Sequence, residues 1–521
     1  MGSEFTDILI IRADADLEIG AGHVMRSLAL AEAWRKKRGL VCFVTRCEQE
    51  QLRARIERSV DSMRLLSSKS TESGAIETLS AVAREFAQEV TLDSLWVVLD
   101  GYHLGANYQQ ALTQLGLKVL IIDDYAHLAQ YECHLLLNYN LDAETRTYCS
   151  TPQTRILAGP RYFPLRSDLL RNPRREKTAP PLAKRIVVTF GASDPQNIST
   201  RVIQALSTLD IHDLEVTVVV GALNKNAPAL AVEVGKLPST IRARLIENPE
   251  NLNEVLATSD LAISAGGVTS LELAHLGVPT IVICVAGNQL AASKALAAHG
   301  VTLNLGWHEE VSTSTLARTL HQLIHDATQR TRMAELGQKL IDGRGATRIV
   351  EEMKCFSLRL RLIQSADAEM IWQWANDPET RAMSFSSAPI PWEDHLAWFN
   401  EKLRDSNHLF FVAENAAGVP IGQVRFQVNG TQAIISVSVA PSKRGCGYGR
   451  SLIDQGVDEL FSRTMVQEVH AAIKSSNHSS ISVFREAGFF PAQEKSMPKE
   501  KHLDALNYVL IRDDAAQRRV S

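Results

Sequence analysis

Seven cysteines in 521 residues (Cys42, Cys47, Cys133, Cys149, Cys284, Cys355 and Cys446) are scattered, odd in number and never spaced as C-x-x-C. That pattern argues against a disulfide framework and against a zinc site. Charge of one sign is scarce too: the formal net charge is −4, which supplies no field for broad binding to nucleic acid. No apolar run approaches the ~20 residues of a membrane span, and the N-terminus lacks the charged-then-apolar order of a signal peptide. The expectation is a cytoplasmic protein with no membrane and no nucleic-acid partner. Met1-Gly2-Ser3-Glu4-Phe5 reads as a cloning scar and is left out of the fold reasoning. There is no low-complexity tract. A hydrophobic content of 45% allows ordinary packed cores, and the length implies about three domains.

The chain divides into three blocks. Up to about residue 168, short apolar runs alternate with helical stretches: ILII, then WVVLD ending at Asp100, KVLIIDD ending at Asp124, and HLLLN ending at Asn138. That alternation predicts a parallel α/β sheet, and ligands of such sheets gather at the strand ends. A charged, proline-bearing stretch from Leu169 to Lys184 reads as a linker. A second α/β series follows (RIVVTF, EVTVVVG, DLAISAGG, VPTIVIC, VTLNLG), so two Rossmann-like domains in tandem are expected with a cleft between them. From Phe356 the pattern changes to SLRLRLI, a tryptophan-rich helical stretch, the pair FFVAE and GQVRFQV, and AIISVSVAP: an α+β block with an antiparallel core. The expected domains are residues 6–168, 184–350 and 356–515.

Three glycine loops carry the chemistry. In GAGHVMRS, Gly20 and Gly22 sit between a strand and a helix, where free N–H groups favour an anion, and His23 follows directly. The spacing lacks the third glycine of a dinucleotide fingerprint. The plain alternative for His23 is a helix-start residue bonding locally. In SAGGVTSLE, Gly266 and Gly267 expose backbone N–H groups, Thr269 and Ser270 add hydroxyls, and Glu272 is placed to take ribose hydroxyls or simply to be solvated. In KRGCGYGR, Arg444-Gly445-Cys446-Gly447-Tyr448-Gly449 makes an anion nest at a helix start, or a glycine-rich turn binding nothing.

From Ile8 to Ile349 the motifs R-A-D with G-x-G-H-x-x-R, D-x-Y at Asp100, I-D-D at Ile122, L-L-L-N at Leu135, G-x-S-D-P at Gly191, S-A-G-G with Glu272, N-Q at Asn288 and D-G-x-G-A at Asp342 occur in series. Together they resemble the UDP-sugar hydrolase family of pseudaminic acid biosynthesis, which has the two-domain GT-B fold. The resemblance implies that water attacks the anomeric carbon of UDP-2,4-diacetamido-2,4,6-trideoxy-β-L-altropyranose, with His23 as general base, a task suited to imidazole. It further implies Tyr102 and Asn288 as cleft contacts, and Gly22, Gly266, Gly267, Thr269, Ser270 and Glu272 around the nucleotide. No metal is expected, because helix N-termini can hold the departing diphosphate. His103, beside the presumed site, is either structural or a partner in the base role.

The last block, from Leu358 to Ile511, resembles the Gcn5-related (GNAT) N-acetyltransferases, in particular the N-acetyltransferase of the same pathway. Acetyl-CoA is the implied cosubstrate, with Val437 and Val439 on the pantetheine strand, and Arg444, Gly445, Gly447 and Gly449 on the diphosphate. Asn477 and Phe484 fall in the family's closing helix; Phe484 replaces a tyrosine there and cannot donate a proton. Glu414 and His395 are candidates for proton handling, and Trp392, Trp398 and Phe399 either wall the substrate or fill the core. The two resemblances imply consecutive steps on UDP-amino-sugar substrates: N-acetylation of UDP-4-amino-4,6-dideoxy-N-acetyl-β-L-altrosamine, then hydrolysis. The rivals are a glycosyltransferase front half and a non-catalytic sugar-nucleotide binding module. The oligomeric state is not readable from the sequence.

Overall fold

The computed structural model describes residues 7–15, 21–67, 72–87, 95–171, 178–191, 193–221, 224–249, 252–415, 418–492 and 504–513. Gly20 and the whole of the expected cloning scar, Met1 to Phe5, lie outside the described residues.

The first block contains strands β1 (Ile8–Ala13), β2 (Leu40–Thr45), β3 (Ser62–Leu65), β4 (Leu95–Asp100), β5 (Lys118–Ile122), β6 (Leu135–Asn138) and β7 (Arg155–Ala158). Its helices are α1 (Gly22–Lys36), α2 (Glu50–Ser59), α3 (Glu72–Ala87), α4 (Ala106–Gln114) and the short α5 (Ser167–Leu170). The seven strands form one sheet in the order β3-β2-β1-β4-β5-β6-β7, and every pairing is parallel. β1 and β4 are buried along their whole length, which is why they read as unbroken apolar runs rather than alternating ones. The strand order reverses between β1 and β4, and their C-terminal ends open there into the crevice where doubly wound sheets bind ligands.

The second block repeats the plan with β8 (Arg185–Thr189), β9 (Leu214–Val220), β10 (Ile241–Glu247), β11 (Leu261–Ala265), β12 (Thr280–Cys284) and β13 (Thr302–Trp307). Its helices are α6 (Ile198–Ser207), α7 (Ala227–Gly235), α8 (Leu252–Thr258), α9 (Val268–Leu276), α10 (Gln289–Ala298), α11 (Thr313–His325), α12 (Ala327–Leu340) and α13 (Gly345–Phe356). The order β10-β9-β8-β11-β12-β13 is again that of a Rossmann sheet. The expected linker is partly fastened. Ala179 N–H donates to Thr331 Oγ1 at 3.0 Å, Ala183 is fully buried, and Arg330 grips the carbonyls of Pro180 and Pro181.

The third block holds β14 (Leu358–Leu362), β15 (His408–Asn415), β16 (Pro420–Asn429), β17 (Gln432–Val439), β18 (Glu468–Lys474), β19 (Phe490–Pro491) and β20 (Ala505–Ile511). Around them lie α14 (Ala368–Asn376), α15 (Pro378–Met383), α16 (Trp392–Arg404), α17 (Tyr448–Arg463) and α18 (His478–Glu486). The sheet order is β14-β15-β16-β17-β18-β20-β19. β17 and β18 run parallel and pair only through Gln432–Ile434; beyond that point β17 is laddered to β16 alone. That splay opens the middle of the sheet.

α13 crosses from the second block to the first. Its Ile349, Val350 and Met353 share one core with Leu28, Trp34 and Val41, so the expected boundary at residue 350 falls inside a packed helix. Only Ser357 separates α13 from β14. A buried polar knot fastens the third block to the first: Asp7, before β1, pairs with Lys354 of α13 and accepts from Tyr448 Oη of α17 at 2.7 Å. The Lys354 ammonium also lies 4.3 Å from the Trp34 ring centroid.

Candidate active sites

The first site forms where β4 ends and α1 begins. His23 is buried at the start of α1, and its Nδ1 stands 2.6 Å from Asp100 Oδ1 at the end of β4. Burial alone would raise the Asp100 carboxyl, but the Arg26 guanidinium, with His23 adding to it, holds it below the usual carboxylate range. Arg26 Nη2 also stands 2.9 Å from Nδ1, but the shorter contact is to an ionised carboxylate, which only accepts, so the proton is assigned to His23 Nδ1 and the lone pair to Nε2. No hydrogen bond reaches Nε2 among the described residues. This is the tautomer a general base requires.

Arg26 organises the surroundings. It lies three residues after His23, on the same helix face. Its Nε donates to Asp100 Oδ2 at 2.8 Å and its Nη1 to Asp124 Oδ2 at 2.6 Å, with Tyr139 Oη against the same nitrogen. Ser27 Oγ completes Asp100 at 3.0 Å. Tyr102 Oη donates to Asp124 Oδ1 at 2.6 Å, and its ring packs edge-on to His23 at 5.0 Å. Burial, followed by the Asp124 charge, keeps the Tyr102 phenol protonated well above its ordinary range. From the facing sheet, Asn288 Nδ2 reaches Tyr102 Oη at 3.4 Å. The structure thus brings His23, Tyr102 and Asn288 to one cleft between the two sheets. His103 falls apart from this group, paired with Asp14 at 3.1 Å.

Opposite lies the turn from β11 to α9. Gly267 precedes α9 and Thr269 is half-buried on its first turn. Two expected ligand groups are already occupied: Gly266 N–H donates to Gln289 Oε1 at 3.2 Å, and Ser270 Oγ donates to Gly267 O at 2.6 Å. Glu272 is buried and takes Arg166 Nε on Oε1 at 2.7 Å, so the solvated alternative is ruled out and any ribose contact shares the carboxylate with Arg166. Gly22 is exposed at the first turn of α1, with open space where a Cβ would stand.

In the third block, Gly445 and Gly447 adopt φ of 76° and 91°, the left-handed conformation that favours glycine, and between them Cys446 N–H donates to Lys443 O at 3.4 Å before α17 begins. Gly449 touches Val483, and Val437 and Val439 lie on the splayed half of β17. Arg444, expected on the diphosphate, pairs with Asp377 at 2.6 Å and Glu379 at 2.9 Å. Phe484 is core, edge-on to Phe489 at 5.0 Å, and Asn477 caps α18 by accepting from Ser480 N–H at 3.1 Å. Both proton-handling candidates are also tied up. Glu414 pairs with Arg361 at 2.6 Å, and buried His395 binds Ala368 O at 3.0 Å. Phe399 is core, and Trp392 and Trp398 pack around His395 at its edge. No cluster able to hold a metal ion is found among the described residues.

Fold and loops define a GT-B-like pair of Rossmann domains followed by a GNAT domain. Residues 185–346 match the glycosyltransferase family 28 C-terminal domain, and residues 357–490 match the acetyltransferase (GNAT) domain. An uncharacterised protein of Methanocaldococcus jannaschii is 20% identical over 497 residues, covering 92% of this chain and 96% of its own. A spore coat polysaccharide biosynthesis protein of Bacillus subtilis is 25% identical over 351 residues, covering 65% of this chain and 95% of its own. The spermidine N(1)-acetyltransferase of Vibrio cholerae is 23% identical over 135 residues, covering 25% of this chain and 78% of its own.

Proposed function

We propose that the chain is a bifunctional sugar-nucleotide enzyme: its third block N-acetylates a UDP-4-amino sugar with acetyl-CoA, and its front cleft hydrolyses the product to UDP and free diacetamido sugar. The observation that carries the hydrolase is His23, whose Nδ1 is fixed by Asp100 at 2.6 Å. Water attacks the anomeric carbon, its proton passes to His23 Nε2, and the bond to the diphosphate oxygen breaks with its electron pair leaving on UDP. Tyr102 and Asn288 border the attack, and the turn ending at Gly267 faces the departing diphosphate. In the acetyltransferase, the sugar amine attacks the thioester carbonyl, the N–C bond forms as the C–S bond breaks, and the proton lost by the amine passes through water to the thiolate, which leaves as the thiol along the splayed edge of β17. The pathway that the sequence resemblance implies, pseudaminic acid biosynthesis, puts acetylation first.

A second reading, transfer of the sugar to an acceptor, is favoured by the family 28 match over residues 185–346. A mass-spectrometric time course with the UDP-4-amino sugar, with and without acetyl-CoA, separates the two. The hydrolase reading expects the N-acetylated UDP-sugar, then UDP and free sugar, in the presence of acetyl-CoA alone. UDP release that waits for an added acceptor overturns it in favour of the transferase. In His23→Ala, acetylation persists and UDP release falls about a hundredfold or more; full UDP release would remove His23 from the chemistry.

A further inference from the structure

The glycine loop before α17 does not face solvent alone; the end of α1 lies over it. A Cβ on Gly447 would stand 3.4 Å from Lys37 Cδ, and one on Gly445 would stand 3.9 Å from Arg38 Nε. Lys443, just before the loop, is 8% exposed, and its ammonium has neither hydrogen bond nor ion pair among the described residues. The nearby carboxylate, Asp7, is already held by Lys354 and Tyr448. Lys443 therefore brings a positive charge to the loop that no hydrogen bond or ion pair among the described residues commits elsewhere, and such a charge favours an arriving anion. Beside the loop, a cavity of about 310 Å³ is walled by Ala29, Ala33, Leu165, Leu170 and Ala346, with Lys36 and Lys37 at its rim. Two acids share this face: Glu32 lines the cavity, and Glu351 is engaged by Arg450 at 3.4 Å.

We infer that the acetyl-CoA site is composite: Lys37 and Arg38 of the first block, together with Lys443, hold the phosphates of the coenzyme over the glycine loop, and the interblock cavity takes its nucleoside. This rests on the reading of the third block as an acetyl-CoA-dependent transferase. Three observations converge on an anion there. The positive-φ glycines keep the loop backbone clear of side chains, Arg444 is diverted to Asp377 and Glu379, and the cations that replace it are Lys443 beside the loop and Lys37 and Arg38 just after α1 of another block. The apolar cavity walls fit a purine, and Glu32 supplies an acceptor for ribose or adenine N–H and O–H groups. The transferase site is then incomplete without the first block.

The test is calorimetric titration of the full chain with CoA and, separately, with pantetheine, which lacks every phosphate. Lys37→Gln with Arg38→Gln, and Lys443→Met alone, should each weaken CoA about tenfold to a hundredfold, while any difference between parent and variants disappears with pantetheine. The surface pair carries the test should the buried Lys443 variant fail to fold, as checked by circular dichroism. CoA affinities within twofold of the parent overturn the composite site and leave the acetyl-CoA reading standing. A parent chain that does not bind CoA overturns both.

Discussion

A single carboxylate, Asp100, gathers three side chains of α1: His23, Arg26 and Ser27. Asp100→Asn can present its amide N–H to His23 Nδ1, which moves the imidazole proton to Nε2 and removes the base. UDP release should fall about a hundredfold or more while acetylation by the third block is retained; kcat for the two half-reactions, measured on one sample, checks this. Tyr102→Phe leaves His23 intact and removes the hydroxyl between Asp124 and Asn288, so UDP release should drop by less than in Asp100→Asn. His23, Tyr102 and Asn288 were legible because each sits in a short motif. The pairing of Asp100 with His23 was not, since 77 residues separate them and a strand-end aspartate reads equally well as a helix cap. Arg26 was within reach: the i, i+3 spacing in G-x-G-H-x-x-R places it beside His23.

At the scale of elements, the turn from β11 to α9 is held from outside by α10. Gln289 Oε1 accepts from Gly266 at 3.2 Å and from Val285 at 3.0 Å. Gln289→Ala strands both N–H groups, costing about 1–3 kcal/mol. We expect a lower melting temperature and a raised KM for the UDP-sugar, with kcat less affected. A second close approach is Gly345, where a Cβ would stand 2.0 Å from Phe163 O. Gly345→Ala must push α13 off the Phe163 backbone of the first block, at a cost of about 1–3 kcal/mol, readable in a thermal melt. Strands such as β1, β4 and β5, buried along their length, announced themselves as apolar runs, whereas LVCFVT of β2, buried from Val41 on, went unread. β10 and β3 did not announce themselves, because their alternating or mixed residues (IRARLIE and SMRL) lie at sheet edges and are half exposed. Arg444 was legible in part: the loop pattern fixes its backbone, while its side chain pairs with Asp377 and, 65 residues away in the chain, with Glu379.

For the whole molecule, the knot of Asp7, Lys354 and Tyr448 decides how the third block is held. Burial works against the Asp7 carboxylate, and the Lys354 charge and hydrogen bond outweigh it, so its folded pKa lies below the unfolded value. Stability from such a group is complete above the unfolded pKa of about 3.9 and is lost as pH falls through the folded value. Asp7→Asn should therefore cost about 3 kcal/mol at neutral pH. Its melting temperature should converge on that of the parent only well below pH 4, and a gap that stays constant down to pH 2 would contradict the assignment. Three blocks and their order were legible in composition and strand spacing; their fastening was not, because Asp7 and Tyr448 meet across 441 residues. That fastening has a consequence for heredity. Since α13 completes the core of one unit and leads through Ser357 alone into the other, a deletion or recombination breakpoint within α13, residues 345–356, would strip both halves at once. Separate genes for the two units would arise from this chain by a cut at Ser357, after the helix, with the pieces meeting again through the Asp7–Lys354–Tyr448 knot.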